Sequence, residues 1–246
     1  MSQLWDSPGP YAWAHRGGAL LPANVGIENT LRAFRNAVEL GYTLLETDVH
    51  ASRDGVLYAF HDANLLRMTG RAARINDLTS AELDDLRVDG REPIPRIAEL
   101  VEEFADCRFS IDVKADDAVD LAVDEFKRLG MTDRLLIGAF DHGRIVRLRA
   151  GLPGVVSALS QREIARLAAG LPIPRNTVAS VPVSWRGVPV ITPRFVARAQ
   201  RRGIPVFAWT IDDAAEMARL LDLGVDGIMA DQIDDLRDLL MERGQW

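Results

Sequence analysis

Eight short apolar runs alternate with helical patterns along the chain, and this alternation constrains the fold more than any other feature. The runs are typical of strands that are buried on both faces, and they cover residues 11–15, 43–52, 108–114, 134–140, 154–159, 177–183, 204–210 and 224–231. The helical patterns cover residues 28–40, 96–105, 116–130, 141–150, 160–170, 193–203, 212–223 and 231–243. Eight strand–helix units in 246 residues predict an α/β fold, the (β/α)8 TIM barrel.

One polar segment interrupts this alternation. The turn "SRDG" at residues 52–55 predicts a hairpin that joins the second strand to "VLYAFHD" at residues 56–62. A polar stretch with a capped helical piece, "TSAELDDL", then delays the third barrel strand. We interpret residues 63–93 as a small insertion after the second barrel strand, inside one domain that spans residues 1–246.

Composition excludes several classes of protein. The net charge of -7 argues against a general binder of nucleic acid or of anionic membranes. The single cysteine, Cys107, allows no disulfide within the chain, which fits a reducing compartment. No run approaches the ~18 apolar residues of a membrane span, and the first residues lack the pattern of a signal peptide. We therefore expect a cytoplasmic protein without stable membrane insertion, and the sequence predicts no particular oligomeric state.

Polar residues collect at the C-terminal ends of the predicted strands, where barrels of this kind carry their functional groups. Strand alternation places Glu46, Asp48 and His50 on one face of the second strand. Asp112 and Lys114 share a face of the third strand. The three carboxylates would then enter one barrel mouth, where they need a compensating charge. Oxygen ligands favour Mg²⁺ or Ca²⁺, with Mn²⁺ possible, over Zn²⁺.

The same acids have a structural alternative, because they could pair with Arg16 and Lys114 as an ion-pair network. Both cations also suit a bound phosphate, which arginine grips with two N–H groups and lysine attracts as a point charge. Trp209, at the end of the seventh strand, is equally open to two interpretations. It could form an apolar wall for the substrate, or it could be a large core residue at the rim.

Two histidines, His15 and His61, lie at strand ends beside acids and cations. Histidine has the side-chain pKa nearest neutrality, so the pair predicts general acid/base catalysis. For His50 the pattern does not favour either of two positions: the side chain could line the site, or it could lie at the surface. His142 opens a helical pattern and is expected to be a solvated residue of the first turn.

The ordered motifs in "AHRGG…IENTLRAF…GYTLLETDVHASRDGVLYAFHD" resemble the glycerophosphodiester phosphodiesterase family. Weaker similarity continues through "SIDVK", "VFAWTIDD" and "GVDGIMADQI", so the resemblance covers most of the chain. It implies a TIM barrel with an insertion after the second strand. It also implies metal-dependent hydrolysis of a glycerophosphodiester, a small-molecule substrate, to glycerol phosphate and an alcohol.

The resemblance further implies roles for individual residues. His15 and His61 correspond to the family's proton-exchanging histidines, and they would act through a cyclic phosphate that water then opens. Glu46 and Asp48 correspond to a metal-binding pair. Arg16 corresponds to the arginine that contacts the phosphate.

Two positions depart from the family pattern. Asp112 stands where the family usually has a glutamate as the third metal ligand, and its side chain is shorter by one C–C bond, about 1.5 Å. The loop "GALLPANVG", residues 18–26, is longer than usual and precedes Ile27-Glu28. Glu28 is therefore either a substrate-binding residue or a residue that only orients Arg16.

Two alternative functions come from other classes of protein. The first is a related barrel enzyme that cleaves the headgroup of a lysolipid or sphingolipid, for which an exposed apolar loop at Leu20-Leu21 is the one indication. The second is a catalytically silent binding protein that uses the same pocket.

Overall fold

Eight parallel strands close into a barrel in the computed structural model, which describes residues 9–246. The strands are β1 Tyr11–His15, β2 Leu44–Ala51, β3 Arg108–Val113, β4 Leu135–Gly138, β5 Val156–Ala158, β6 Thr177–Val181, β7 Val206–Ala208 and β8 Gly227–Ala230. Closure comes from β1, which pairs in parallel with β8 on one side and with β2 on the other. The predicted (β/α)8 TIM barrel is therefore confirmed.

One helix follows the strand of each unit and packs outside the barrel. The helices are α1 Leu31–Glu39, α2 Ile97–Glu103, α3 Ala118–Arg128, α4 His142–Gly151, α5 Gln161–Ala169, α6 Pro193–Gln200, α7 Ala214–Leu223 and α8 Ile233–Glu242. The first helix begins three residues later than residue 28, because Asn29 has a left-handed φ of 60° that an α-helix does not accept. Thr30 then caps the helix by accepting a hydrogen bond from the Ala33 amide. No helix within residues 9–246 combines the length and the apolar character that crossing a bilayer requires.

The inward face of each strand runs from an apolar plug to the polar barrel mouth. Inward side chains below the mouth form one cluster, which comprises Tyr11, Trp13, Leu44, Leu136, Val156, Val178, Phe207 and Met229. Because strand side chains alternate with a period of two, the next inward residue after Trp13 is His15. The same step leads from Phe207 to Trp209 and from Met229 to Asp231. The register of the apolar plug thus fixes which residues reach the mouth.

The segment between β2 and α2 forms a small lobe beside the mouth. Its first strand, Leu57–Ala59, pairs antiparallel with β2, which confirms the predicted hairpin. The lobe has its own apolar cluster around Tyr58, Leu65 and Leu83. Thr79 and Glu82 cap the short helix Ser80–Asp84 reciprocally, as the sequence predicts. The fold has an insertion after the second strand, as expected, while the single-domain boundaries stay a prediction.

The apolar loop after β1 differs from the expectation. Leu20 is 46% exposed, but Leu21 is only 9% exposed and packs in the core between the strands and the helices. The expectation that both leucines are exposed is therefore wrong, because the Leu21 side chain turns inward at this bend. Neither leucine lines the cavity at the barrel mouth.

A buried ion pair joins α4 to α5. Arg149 donates two hydrogen bonds to the Glu163 carboxylate, at 2.6 and 3.0 Å, and another to the Ser157 hydroxyl. Burial works against the Glu163 charge, but the bonds from Arg149 and Ser160 outweigh it and lower the pKa of Glu163 below its ordinary value of 4.5.

Glu163→Ala is expected to lower the free energy of unfolding by about 3 kcal/mol at pH 7, because it leaves the Arg149 charge buried without its partner. The lowered pKa means that the pair contributes fully above pH 4.5 and loses its contribution as the pH falls below that value. Urea unfolding of both proteins between pH 7 and pH 4 measures the difference. An equal stability of the two proteins at pH 7 would show that the pair contributes nothing.

Candidate active site

A cavity of about 780 Å³ opens at the carboxyl ends of the strands. Eight of the nine residues predicted for the site line it, namely His15, Arg16, Glu46, Asp48, His61, Asp112, Lys114 and Trp209. The ninth, Glu28, is not among the lining residues and lies behind Arg16, to which its carboxylate is bonded. The structure thus brings residues from the ends of four barrel strands and from the hairpin into one place.

His15 ends β1 and is oriented by a carboxylate. Its Nδ1 donates a hydrogen bond of 2.8 Å to Asp231, which directly follows β8. The other ring nitrogen, Nε2, lies 3.7 Å from the Glu46 carboxylate. Burial opposes a charge on His15, but the carboxylates of Glu46 and Asp231 outweigh it and raise the pKa of His15. Asp231 therefore holds the ring so that Nε2 is the nitrogen at the cavity.

His61 is oriented in the same way at the end of the hairpin. Its Nδ1 donates a hydrogen bond of 2.6 Å to Asp62, which in turn accepts one of 2.7 Å from Arg67. The Arg67 bond is the main reason that the pKa of Asp62 falls to about 2. His50 neither lines the cavity nor lies at the surface, the two positions expected for it. It is buried, and its Nε2 donates a hydrogen bond to the His61 carbonyl oxygen.

Arg16 is fixed between two carboxylates. It donates to Glu28 at 3.1 Å, and its Nε lies 3.3 Å from an oxygen of Asp48. Arg67 grips both oxygens of Glu28 from the other side, at 2.9 and 2.8 Å. Arg67 thus contacts Asp62 and Glu28 at once. One guanidinium group therefore binds both the carboxylate that contacts His61 and the carboxylate that contacts Arg16. In this arrangement Glu28 contacts Arg16, and both of its predicted roles, in orienting Arg16 and in binding substrate, stay predictions.

The chain turns sharply after His15 so that Arg16 can reach these partners. Arg16 and the two glycines after it all have left-handed φ values of 52°, 83° and 84°. A side chain at Gly17 would also place its Cβ 2.9 Å from that of Ala33 in α1. The turn lets the Arg16 amide donate to the carboxylate of Glu46 at 3.2 Å. The glycines of the His-Arg-Gly motif are therefore required by the backbone.

Lys114 bridges two of the three carboxylates. Asp48 and Asp112 lie opposite each other in the register of β2 and β3, and the Lys114 ammonium is 2.7 Å from an oxygen of each. Burial raises the pKa of Asp48, but Lys114 and Arg16 outweigh it and lower that pKa. The structural alternative, in which the acids pair with the two cations, is thus realised for Asp48 and Asp112 in this arrangement.

Of the three carboxylates, Glu46 is the one whose negative charge is least compensated by nearby cations. It is buried, and both burial and the charge of Asp48 raise its pKa. Two buried carboxylates at the cavity wall are the oxygen donors that a hard divalent cation prefers, so Glu46 and Asp48 fit such an ion. Within residues 9–246, no three His, Cys, Asp or Glu side chains converge on one point as they stand. The roles of Glu46, Asp48 and Asp112 as metal ligands stay a prediction.

An aromatic pair forms part of the wall of the mouth. Trp209 packs against the apolar plug and contacts Phe140 edge to face, with ring centroids 5.7 Å apart. Phe140 is 51% exposed, and the Lys114 ammonium lies 5.4 Å from its ring centroid. The Trp209 ring therefore packs on the plug and also lines the cavity, and its role as a wall for the substrate stays a prediction.

Four residues that support the site lie outside the predicted set: Asn29, Arg67, Phe140 and Asp231. Asn29 donates to Asp48 at 3.3 Å and accepts from Thr47 at 2.8 Å, which holds the Asp48 carboxylate in place. The position of Asp231 at the end of the eighth run was the one signal for its role. Arg67 lies in the insertion, where no pattern in the sequence points to the mouth.

Comparisons with known proteins identify the family of the chain. The model of the "Glycerophosphoryl diester phosphodiesterase family" matches residues 15–235. The chain is 35% identical to the "Probable glycerophosphodiester phosphodiesterase 2" of Mycobacterium tuberculosis, over 97% of this chain and 93% of that protein. It is 27% identical to the human "Lysophospholipase D GDPD1", over 92% of this chain and 85% of that protein.

A solved structure shares the fold. It is the Oleispira antarctica phosphodiesterase in complex with the product sn-glycerol-3-phosphate, with a TM-score of 0.78 and 22% identity over 95% of this chain and 97% of that one. The family match covers most of the chain, so the family expected from the motifs is confirmed. The chain belongs to the glycerophosphoryl diester phosphodiesterase family, and it is a phosphodiesterase.

Proposed function

We propose that this enzyme is a divalent-metal-dependent hydrolase that cleaves a glycerophosphodiester to glycerol phosphate and an alcohol. The observation that carries the proposal is the pair of histidines, His15 and His61, each held by a carboxylate through Nδ1 in one cavity. The cavity also presents Arg16 and Lys114 for an anionic group. The names of the curated bacterial relative and of the Oleispira product complex support the same substrate class.

The two histidines would exchange protons with the reacting oxygens. In the first step, one histidine would remove the proton of a glycerol hydroxyl of the substrate, which attacks phosphorus as the bond from phosphorus to the alcohol oxygen breaks, and the other histidine would protonate that leaving oxygen. Water would then open the resulting cyclic phosphate to glycerol phosphate, with the two histidines exchanging protons in the reverse sense. Because Nδ1 of each ring is occupied by Asp231 or Asp62, Nε2 is the atom that carries these protons. Positioned acid/base groups of this kind contribute about 10²–10⁴ in rate.

Arg16 and Lys114 would stabilise the charge that builds on the phosphoryl oxygens. Glu28 and Asp48 hold Arg16, and Asp48 and Asp112 hold Lys114, so both cations are oriented before the substrate binds. Charges fixed in this way need no reorganisation during the reaction, which is the main source of electrostatic catalysis. Trp209 would pack against the carbon skeleton of the substrate.

Glu46 and Asp48 would hold the metal ion, with Asp112 as the proposed third ligand. Mg²⁺ or Ca²⁺ fits their oxygen donors, and Mn²⁺ is a further candidate. When bound, such an ion supplies Lewis-acid polarisation of a phosphoryl oxygen.

Metal removal tests this proposal. Chelation is expected to abolish hydrolysis of glycerophosphocholine, glycerophosphoethanolamine and glycerophosphoglycerol, and one of Mg²⁺, Ca²⁺ or Mn²⁺ is expected to restore it. The measurement is the release of glycerol phosphate, with urea unfolding of the chelated protein as the control for folding. Full activity after exhaustive chelation would contradict the metal requirement. Tight binding of a diester without turnover under any of these metals would instead indicate the silent binding protein.

Headgroup release from lysolipids is the second candidate function. It is favoured by the apolar arm of the cavity, whose walls include Ile164 and Val188, and by the name of the human relative. The substrate of either function is a small molecule.

We also propose a cytoplasmic location, which the single cysteine supports, and no nucleic-acid partner, which the net charge of -7 supports.

A further inference from the structure

We propose that the apolar arm of the cavity is a binding site for the acyl chain of a monoacylated glycerophosphodiester, that is, a lysophospholipid. The arm runs from the barrel mouth to the space between α5 and α6. We call it the acyl groove, and its walls are Ile164, Ala165, Ala168, Trp185, Val188 and Phe195. The inference rests on the proposed function, because the chain must be attached to a phosphodiester held near His15 and His61.

One wall of the acyl groove is a single face of α5. Gln161, Ile164, Ala165 and Ala168 all line the cavity, and their spacing of three, four and seven residues places them on one side of the helix. The two alanines are exposed. Small side chains at exposed positions of this face leave the width that a hydrocarbon chain needs.

The opposite wall comes from α6 and from a hairpin before it. Ser184–Trp185 pairs antiparallel with Val188–Pro189, and Phe195 lies in the first turn of α6. Trp185 is 43% exposed and Val188 is 65% exposed, although both line the cavity. Apolar side chains that line a concave surface without being covered are typical of a ligand-binding site.

The acyl groove is continuous with the reacting groups. The same cavity contains His15, Lys114 and the aromatic pair Phe140 and Trp209. The aromatic pair thus provides an apolar surface at the mouth, on the way from the phosphate-binding residues into the groove. A phosphodiester at Arg16 and Lys114 could therefore extend its acylglycerol part over these rings and into the groove.

A second anionic group is the competing occupant, because three arginines also line this arm: Arg186, Arg194 and Arg198. None of them forms an ion pair with another residue of the described range 9–246. The walls at Ile164, Ala168 and Val188, however, offer no side-chain donor to an anion. Arginine stems can also cover a hydrocarbon chain while their guanidinium groups stay in water. The chemistry of the walls favours the acyl chain.

Binding of alkylphosphocholines tests the groove without turnover. These probes carry a phosphodiester and a chain of 6 to 12 carbons, and each is titrated by calorimetry below its critical micelle concentration. We expect the affinity to rise roughly fourfold per methylene until the groove is full. Ala168→Trp is expected to abolish this dependence on chain length. Ala169→Trp is the matched control, because Ala169 is exposed on the same helix and lies outside the cavity lining.

Hydrolysis then connects the groove to the proposed function. The wild type is expected to have a higher kcat/KM for lysophosphatidylcholine than for glycerophosphocholine. Ala168→Trp should lower the ratio of the two at least tenfold, and Ala169→Trp should leave it unchanged.

The outcomes separate the two claims. Hydrolysis of glycerophosphocholine with no effect of chain length on binding or rate would overturn the groove and leave the proposed function standing. Binding that rises with chain length and is lost in Ala168→Trp supports the groove even if neither substrate is hydrolysed, in which case the proposed function fails. Affinity that is independent of chain length and falls steeply with salt would overturn the groove in favour of the second anion.

Discussion

His15→Ala and His61→Ala are each expected to lower kcat on glycerophosphocholine by about 10²–10⁴. Each substitution removes a ring that a carboxylate holds through Nδ1, at 2.8 Å for Asp231 and 2.6 Å for Asp62. Because the Arg16 and Lys114 charges remain, the Michaelis constant should change less than the rate. Steady-state kinetics with saturating metal measures both quantities.

His142→Ala is the control for the loss of a histidine as such. His142 begins α4 and contacts Ser160 through Nδ1 at 2.9 Å, but it is not among the residues that line the cavity. It is expected to retain nearly normal turnover. Near-normal rates in both His15→Ala and His61→Ala would contradict acid/base catalysis by this pair.

Lys114→Met is expected to lower the free energy of unfolding by about 3 kcal/mol in metal-free protein, because it leaves two carboxylates without their shared partner. The ammonium lies 2.7 Å from Asp48 and 2.7 Å from Asp112, and Asp48 is almost fully buried. The same substitution should lower kcat/KM about 10²-fold, since it removes one of the two cations proposed for the phosphoryl oxygens. Urea unfolding and steady-state kinetics measure the two effects.

Lys127→Met is the matched control, because Lys114 and Lys127 are the two lysines of the chain. Lys127 is exposed on α3, so its loss is expected to change the stability by less than about 0.5 kcal/mol. If Lys114→Met were as stable as Lys127→Met, the three-residue ion-pair network would contribute nothing to folding. If it were destabilised but kept normal kcat/KM, Lys114 would be a structural residue only.

Periodic patterns in the sequence predict the barrel and most of the residues at its mouth. Period-two alternation places His15 above Trp13 and Trp209 above Phe207, and the structure has these residues on the inward face. Strand and helix boundaries agree to within about three residues at each end. The difference of three residues at the start of α1 comes from Asn29, whose left-handed backbone ends the preceding turn.

The residues that hold the site residues in place could not be predicted from such patterns. Arg67 lies in the insertion and contacts Asp62 and Glu28. The path of the chain in this segment is set by turns, and no periodic pattern in the sequence predicts it. Phe140 ends an apolar run and so resembles a core residue, although it is 51% exposed beside Trp209. Leu21 lies in a loop, where no periodic pattern indicates burial, yet its side chain packs in the core.

The identity of the products is the sharpest test of the proposed hydrolysis. Phosphorus NMR of a reaction with glycerophosphocholine and a restoring metal distinguishes glycerol phosphate from phosphocholine, and His15→Ala serves as the parallel sample. We expect glycerol phosphate and free choline from the wild type, at a rate that His15→Ala lowers at least about 100-fold. Phosphocholine as the product, or the same rate from both proteins, would contradict it.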